Sequence, residues 1–232
     1  MKLADPSSYE SNWEWCRAHS QYHFDNTRRD QPGEWYWSLG RFQGDWSKDL
    51  QAISQDHVPI TWATRKFYGD DDNTVSPMLR QEEYDLAQSG APVDLQLTDM
   101  TDHLDRYPTL WRMAEFFGLE QDKRRVHYQL PGQMFNLHID KLWERCPEDP
   151  SRIVRITVHL TDWEPGQFMQ YGTAFHSHWK SGDIHVFDWA NVPHATANAS
   201  RNPRPILQIT GLKTRRTLEI MERASGSPVY EI

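Results

Sequence analysis

Over residues 124–212 the chain adopts a period of two. Val126, Tyr128 and Leu130 alternate with polar neighbours, Pro131-Gly132 breaks the run, and residues 134–140 begin another. Further on, Val154, Ile156, Val158 and Leu160 fall on one parity and Arg155, Thr157 and His159 on the other. Short runs follow at 174–179, 184–188, 192–198 and 204–212, punctuated by Pro165-Gly166, Gly172 and Ser181-Gly182-Asp183. Successive side chains of a strand point to opposite faces, so this pattern predicts strands rather than helices. About eight short strands with turns between them predict a sandwich or barrel. The fold class expected is mainly β with flanking helices (α+β).

The stretch before it is mixed. Helices are expected over 8–19, 46–54 and 76–88, the last with Ser76 as N-cap and Pro77 at the first helical position. Strands are expected over 34–42 and 60–68, with brief alternation at Val93, Leu95 and Leu97. Residues 70–73 read as an exposed acidic loop. The clearest helix opens at Pro108: Leu110, Met113, Ala114 and Phe117 recur at i, i+3, i+4 and i+7, and Gly118 stops it. The tail after 213 has room for one helix before Gly226. The 232 residues suit one domain. Residues 1–123 are its supporting part and shape the substrate mouth, 124–213 its core, and 214–232 a tail.

Composition excludes several classes. Two cysteines, Cys16 and Cys146, make neither a disulfide framework nor a zinc knuckle. With no signal-peptide pattern and no apolar run near membrane-spanning length, a cytoplasmic protein is expected. A net charge of −8 argues against nucleic acid as the main partner. Eleven tryptophans mean mostly core or interface.

The candidate chemistry lies inside the strand-rich stretch. His138 and Asp140 are two apart at the end of a run, so they aim an imidazole and a carboxylate the same way. His194 can add a second imidazole from a distant strand. Two His and one carboxylate cover one face of an octahedron and leave open positions, the arrangement of non-haem Fe(II) oxygenases. Arg204, ten residues after His194, opens the last run. Its planar fork matches a carboxylate's two oxygens. Arg201 is the rival clamp, but Arg204 shares a face with Ile206, Gln208 and Thr210 and reads as interior, leaving Arg201 as surface charge. His23/Asp25 and His103/Asp105 repeat the His-x-Asp spacing outside the strand-rich context and read as surface residues. Tyr128, Asn136, Arg155, Thr157 and His159 are candidates to orient metal ligands or bond a co-substrate. Tyr128 and Asn136 are grouped with Arg204 as cofactor-binding.

The order His138-x-Asp140, His194, Arg204 resembles that of the 2-oxoglutarate/Fe(II)-dependent oxygenases, nearest the aspartyl/asparaginyl β-hydroxylase-like and prolyl-hydroxylase-like branches. The resemblance covers about residues 124–212. It implies a double-stranded β-helix (jelly-roll, cupin-like) core, with metal ligands on its second and seventh strands and the Arg on its eighth. It implies Fe(II) on His138, Asp140 and His194, 2-oxoglutarate paired to Arg204, and O2 as oxidant. A C–H bond of a peptide side chain or a small molecule is then hydroxylated, with release of succinate and CO2. Relatives that halogenate replace the carboxylate by a small residue, and some aspartyl hydroxylases have Gly there. Asp140 therefore favours hydroxylation.

Two other readings compete: a cupin-like metalloenzyme without 2-oxoglutarate, and a non-catalytic jelly-roll binding module with a Trp-rich surface. His176, His178 and His185, with His194, form a second histidine group that could hold Zn(II). The more ordinary reading of those histidines is that they flank the pocket or lie on the surface. Trp189 reads as core. The substrate and the oligomeric state are not encoded in any motif found.

Overall fold

The computed structural model describes residues 36–56, 58–61, 96–101, 104–138, 140 and 142–232. The helices expected over 8–19 and 76–88, the loop 70–73, His23, Asp25 and His103 lie outside the described residues. Among the described residues the strands are β1 (Tyr36–Gln43), β2 (Val58–Thr61), β3 (Gln96–Thr101), β4 (Glu120–Gln129), β5 (Met134–His138), β6 (Ile153–His159), β7 (Gln167–Tyr171), β8 (Ala174–His176), β9 (Asp183–Phe187), β10 (His194–Asn198), β11 (Arg204–Leu212) and β12 (Val229–Glu231). The helices are α1 (Ser47–Asp56), α2 (Pro108–Phe116) and α3 (Arg215–Arg223).

Two sheets form. The larger runs β12-β1-β9-β6-β11-β4-β3-β2 and the smaller β5-β10-β7-β8. The eight strands β4 to β11 are shared between them: β4, β6, β9 and β11 go to one, β5, β7, β8 and β10 to the other. This alternation is the double-stranded β-helix, a cupin-type jelly roll. His138 ends its second strand, His194 begins its seventh and Arg204 begins its eighth.

Two apolar layers hold it. One lies between the larger sheet and the helices, with Val126, Ile156, Val158, Leu207 and Ile209 against Leu110, Met113 and Phe117 of α2 and its end. The other lies between the sheets, where Met169 and Tyr171 of β7 meet Phe187 and Ile206. Trp189 belongs to this second layer. Burying each aliphatic side chain of these layers contributes roughly 1.5–3 kcal/mol. The consequence for β4, β6 and β11 is unusual. Their apolar parity faces the helices, and their polar parity (His127, Gln129, Arg155, Thr157, Arg204, Gln208) is left for the barrel interior.

Helix α2 starts where the sequence places it, with Pro108 in its first turn. Its N-terminal amides of Thr109 and Leu110 donate to the buried carboxylate of Asp49, on α1, at 2.8 and 3.0 Å. That carboxylate joins the two helices and complements the positive helix end.

Several boundaries differ from the expectation. β4 begins at Glu120 rather than at 124, because Arg124 and Asp122 pair on it instead of ending it. β8 stops at His176, short of Trp179. Within the tail, β12 returns to the larger sheet parallel to β1. Of the strand expected over 60–68, only β2 is described.

Gly182 fixes the turn into β9. Its φ is +89°, and an added Cβ would lie 2.1 Å from the Phe42 carbonyl oxygen. That same stretch is held by Phe42 N–H donating to the Gly182 carbonyl at 2.9 Å. Backbone cannot yield as a side-chain tip can. Gly182→Ala is therefore expected to cost about 2–3 kcal/mol and to lower the melting temperature by about 5–10 °C, measured by thermal denaturation with Gly226→Ala, which has open space and no positive φ, as the control.

Candidate metal centre

The site is built by the pairing of β5 with β10. His194 lies opposite His138 in that antiparallel register, and directly opposed side chains of one face come close. Their ring centroids are 4.1 Å apart. Asp140, two residues beyond His138, closes the group. Its Oδ1 is 3.7 Å from His138 Nε2 and its Oδ2 is 3.6 Å from His194 Nε2. One ligating atom from each of the three lies within 4.8 Å of the others.

The dimensions and the chemistry of this group fit a metal ion. Bonds of about 2.1 Å would set neighbouring ligand atoms about 3.0–3.4 Å apart, somewhat closer than the 3.6 and 3.7 Å between Asp140 and the two imidazoles. Burial pushes the Asp140 carboxyl up, but Arg155, His194 and His138 outweigh it and hold it below the usual range. Burial, against the opposing pull of Asp140, keeps the His194 imidazole below its ordinary value. A carboxylate and a neutral imidazole are the ligating forms.

Arg155 orients the carboxylate. Its Nη1 donates to Asp140 Oδ2 at 2.5 Å and its Nε to Thr210 Oγ1 at 3.1 Å. One carboxylate oxygen is thereby taken by Arg155 while Oδ1 stays free to ligate.

Arg204 is 1 % exposed. Its Nη2 donates to Gln129 Oε1 at 2.6 Å and to Thr196 Oγ1, and its Nη1 to the Phe168 carbonyl at 3.1 Å. Its Nε has no partner, and among the described residues no carboxylate pairs it. Burial lowers its pKa to about 10, so it is charged at neutral pH. Arg201, by contrast, is exposed.

Other expected residues fall elsewhere. Tyr128 packs against the helix-side layer, on the face of β4 opposite Gln129, and does not reach the site. The side chain of Asn136 lies outside the described residues. The residues that do reach Arg204, Gln129 and Thr196, were not singled out. For Gln129 the signal was available as a parity shift of one from Tyr128. His176 and His185 come together with His159 inside the barrel rather than flanking it, while His178 stacks on Trp163 and His194 belongs to the first group. His159 thus joins this second group and not the Arg204 contacts. Thr157 is buried beside Gln208 in register.

The interior carries several histidines kept neutral. Burial, with Arg125 next, pushes His127 down to about 3, and burial lowers His176 to about 4 and His159 and His185 well below 6.5. Unfolded imidazoles take up protons near 6.5, whereas these do not until far lower pH. The unfolded state therefore binds more protons in that window, and stability falls as pH drops through it. The slope is about 1.4 kcal/mol per pH unit for each such histidine. Melting of the metal-free protein should decline steadily from pH 7 to pH 5; a flat profile would contradict buried neutral imidazoles.

Among the described residues no helix is long and apolar enough to cross a membrane. No protein-family model and no curated protein matches the chain. Solved structures do. A prolyl-4-hydroxylase from Pseudomonas putida is 20% identical, over 59% of this chain and 85% of that one, with a TM-score of 0.37. A predicted oxalate decarboxylase from Thermotoga maritima is 15% identical over 50% and 80%, with a TM-score of 0.33. A Cupin 2 conserved barrel domain protein from Salinispora arenicola is 10% identical over 45% and 74%, at 0.29.

Proposed function

We propose that the chain is an Fe(II)- and 2-oxoglutarate-dependent dioxygenase that hydroxylates a C–H bond of a peptide side chain or a small molecule. The observation that carries this reading is the pairing of two features in one barrel. A two-His, one-carboxylate group lies at one end of β10, and a buried guanidinium without a carboxylate partner among the described residues lies further along it. His194 and Thr196 are two residues apart on β10, which sets them about 7 Å apart along the strand. Arg204 bonds Thr196. A five-carbon dicarboxylate, about 5 Å between its end carbons, is of the same order as that spacing.

His138, Asp140 and His194 would hold Fe(II), which, with 2-oxoglutarate and O2 bound, supplies the oxidising chemistry. The chain's own residues do the rest. Arg204 binds the far carboxylate, and its unpartnered Nε and the polar atoms around it orient that end. Gln129 and Thr196 keep the fork in place. Arg155 keeps Asp140 ionised and aimed. The apolar layer of Met169, Tyr171, Phe187 and Ile206 excludes water from the barrel interior.

A cupin-like metalloenzyme that uses no dicarboxylate is the second reading. It is favoured by the neutral acceptors already on Arg204. Titration under argon separates the two. Fe(II)-loaded protein given 2-oxoglutarate is expected to develop a metal-to-ligand absorption band that saturates at one equivalent. Iron-loaded protein that gives no band supports the cupin-like reading.

A further inference from the structure

Three histidines outside the group just described converge in the barrel. His159 ends β6, His176 ends β8 and His185 lies within β9. One ring nitrogen of each lies within 4.8 Å of the others. His159 Nε2 and His176 Nε2 are 3.2 Å apart. Two nitrogens bound at about 2.05 Å to one tetrahedral ion would be about 3.3 Å apart. The His159 ring is fixed by stacking on Trp179 at 4.1 Å and 12°. His185 Nε2 meets the Tyr171 hydroxyl at 2.6 Å.

The simpler account is a hydrogen-bonded imidazole network. A complete network would pair its buried nitrogens. Here Nδ1 of His159 and Nδ1 of His185, both buried, have no partner among the described residues. Two buried ring nitrogens of the cluster are thus left without the bonds that a closed network would give them. Burial keeps all three imidazoles neutral, the ligating form. Imidazole sets suit Zn(II), Cu, Ni and Fe rather than Mg(II) or Ca(II).

We infer that His159, His176 and His185 form a second metal site, for a divalent ion of the Zn(II) class, separate from His138, Asp140 and His194. Three protein ligands leave the fourth position to an exogenous group. Trp179, which stacks on His159, also lies under the Arg204 guanidinium at 5.8 Å. None of the first group's residues takes part in this site, whatever that group binds.

The test uses the full chain with the first group removed (His138→Ala with His194→Ala), stripped with chelator and titrated with Co(II). One equivalent is expected to bind, with the strong visible absorption of a four-coordinate ion, and Zn(II) is expected to displace it. Adding His176→Ala should weaken that binding at least about 100-fold, with the metal-free circular dichroism unchanged. If that variant fails to fold, His176→Gln, which keeps most of the bulk, gives the same comparison. Absence of the equivalent in the double variant overturns the site. So does a pale six-coordinate spectrum, and so does binding that survives loss of His176.

Discussion

Arg204→Ala is expected to weaken 2-oxoglutarate binding at least about 100-fold while leaving metal stoichiometry intact. The guanidinium is buried and held by Gln129, Thr196 and the Phe168 carbonyl. A carboxylate bound to it in a water-poor interior gains two charge-assisted hydrogen bonds, each worth about 1.5–3 kcal/mol. Losing both corresponds to about 100-fold or more in affinity. The hydrogen bonds of Arg204 go to Phe168, Gln129 and Thr196 and not to the proposed ligands, so the ion should stay. Arg204→Lys tests geometry against charge. It keeps the charge but loses the fork, and an intermediate affinity is expected. Calorimetry on the Fe(II)-loaded, oxygen-free protein measures all three, and unchanged affinity in Arg204→Ala would contradict the clamp.

Asp140→Ala carries the other large effect, and it has two parts. Removing one of three ligands should lower metal affinity at least about 100-fold, since even residues behind the ligands contribute 10–100-fold. It also strips Arg155 of its carboxylate partner at a site where the guanidinium side chain is 14 % exposed. Breaking a buried pair by removing one partner costs about 3–5 kcal/mol. The metal-free variant should therefore melt well below the metal-free wild type. Arg155→Met in the same background should recover part of that loss, because it removes the stranded charge. No recovery would mean that Arg155 is satisfied without Asp140.

Particular residues show why the fold was legible and the site only partly so. Turn signals at Pro131-Gly132, Pro165-Gly166 and Gly182 separate strands whose order then follows from the chain. His138, His194 and Arg204 stand at strand ends, where sequence spacing translates directly into position. Tyr128 failed for a physical reason. Apolar parity normally marks the inside of a barrel, but in β4 it faces the helix-side layer, so the interior belongs to Gln129. The same inversion places His159, a candidate to orient ligands, inside: it is on the polar parity of β6, is wholly buried, and groups with His176 and His185. β12 is three residues long with two exposed, and it docks on β1 through backbone bonds that leave no side-chain pattern.

Succinate formation tests the central claim most directly. The protein would be loaded with Fe(II) without oxygen, mixed with 2-oxoglutarate and exposed to O2, with His138→Ala run beside it. Slow succinate production by the wild type is expected even without added substrate, and none by the variant. Wild-type protein that holds iron and yet neither forms succinate nor gives the 2-oxoglutarate absorption band would contradict it.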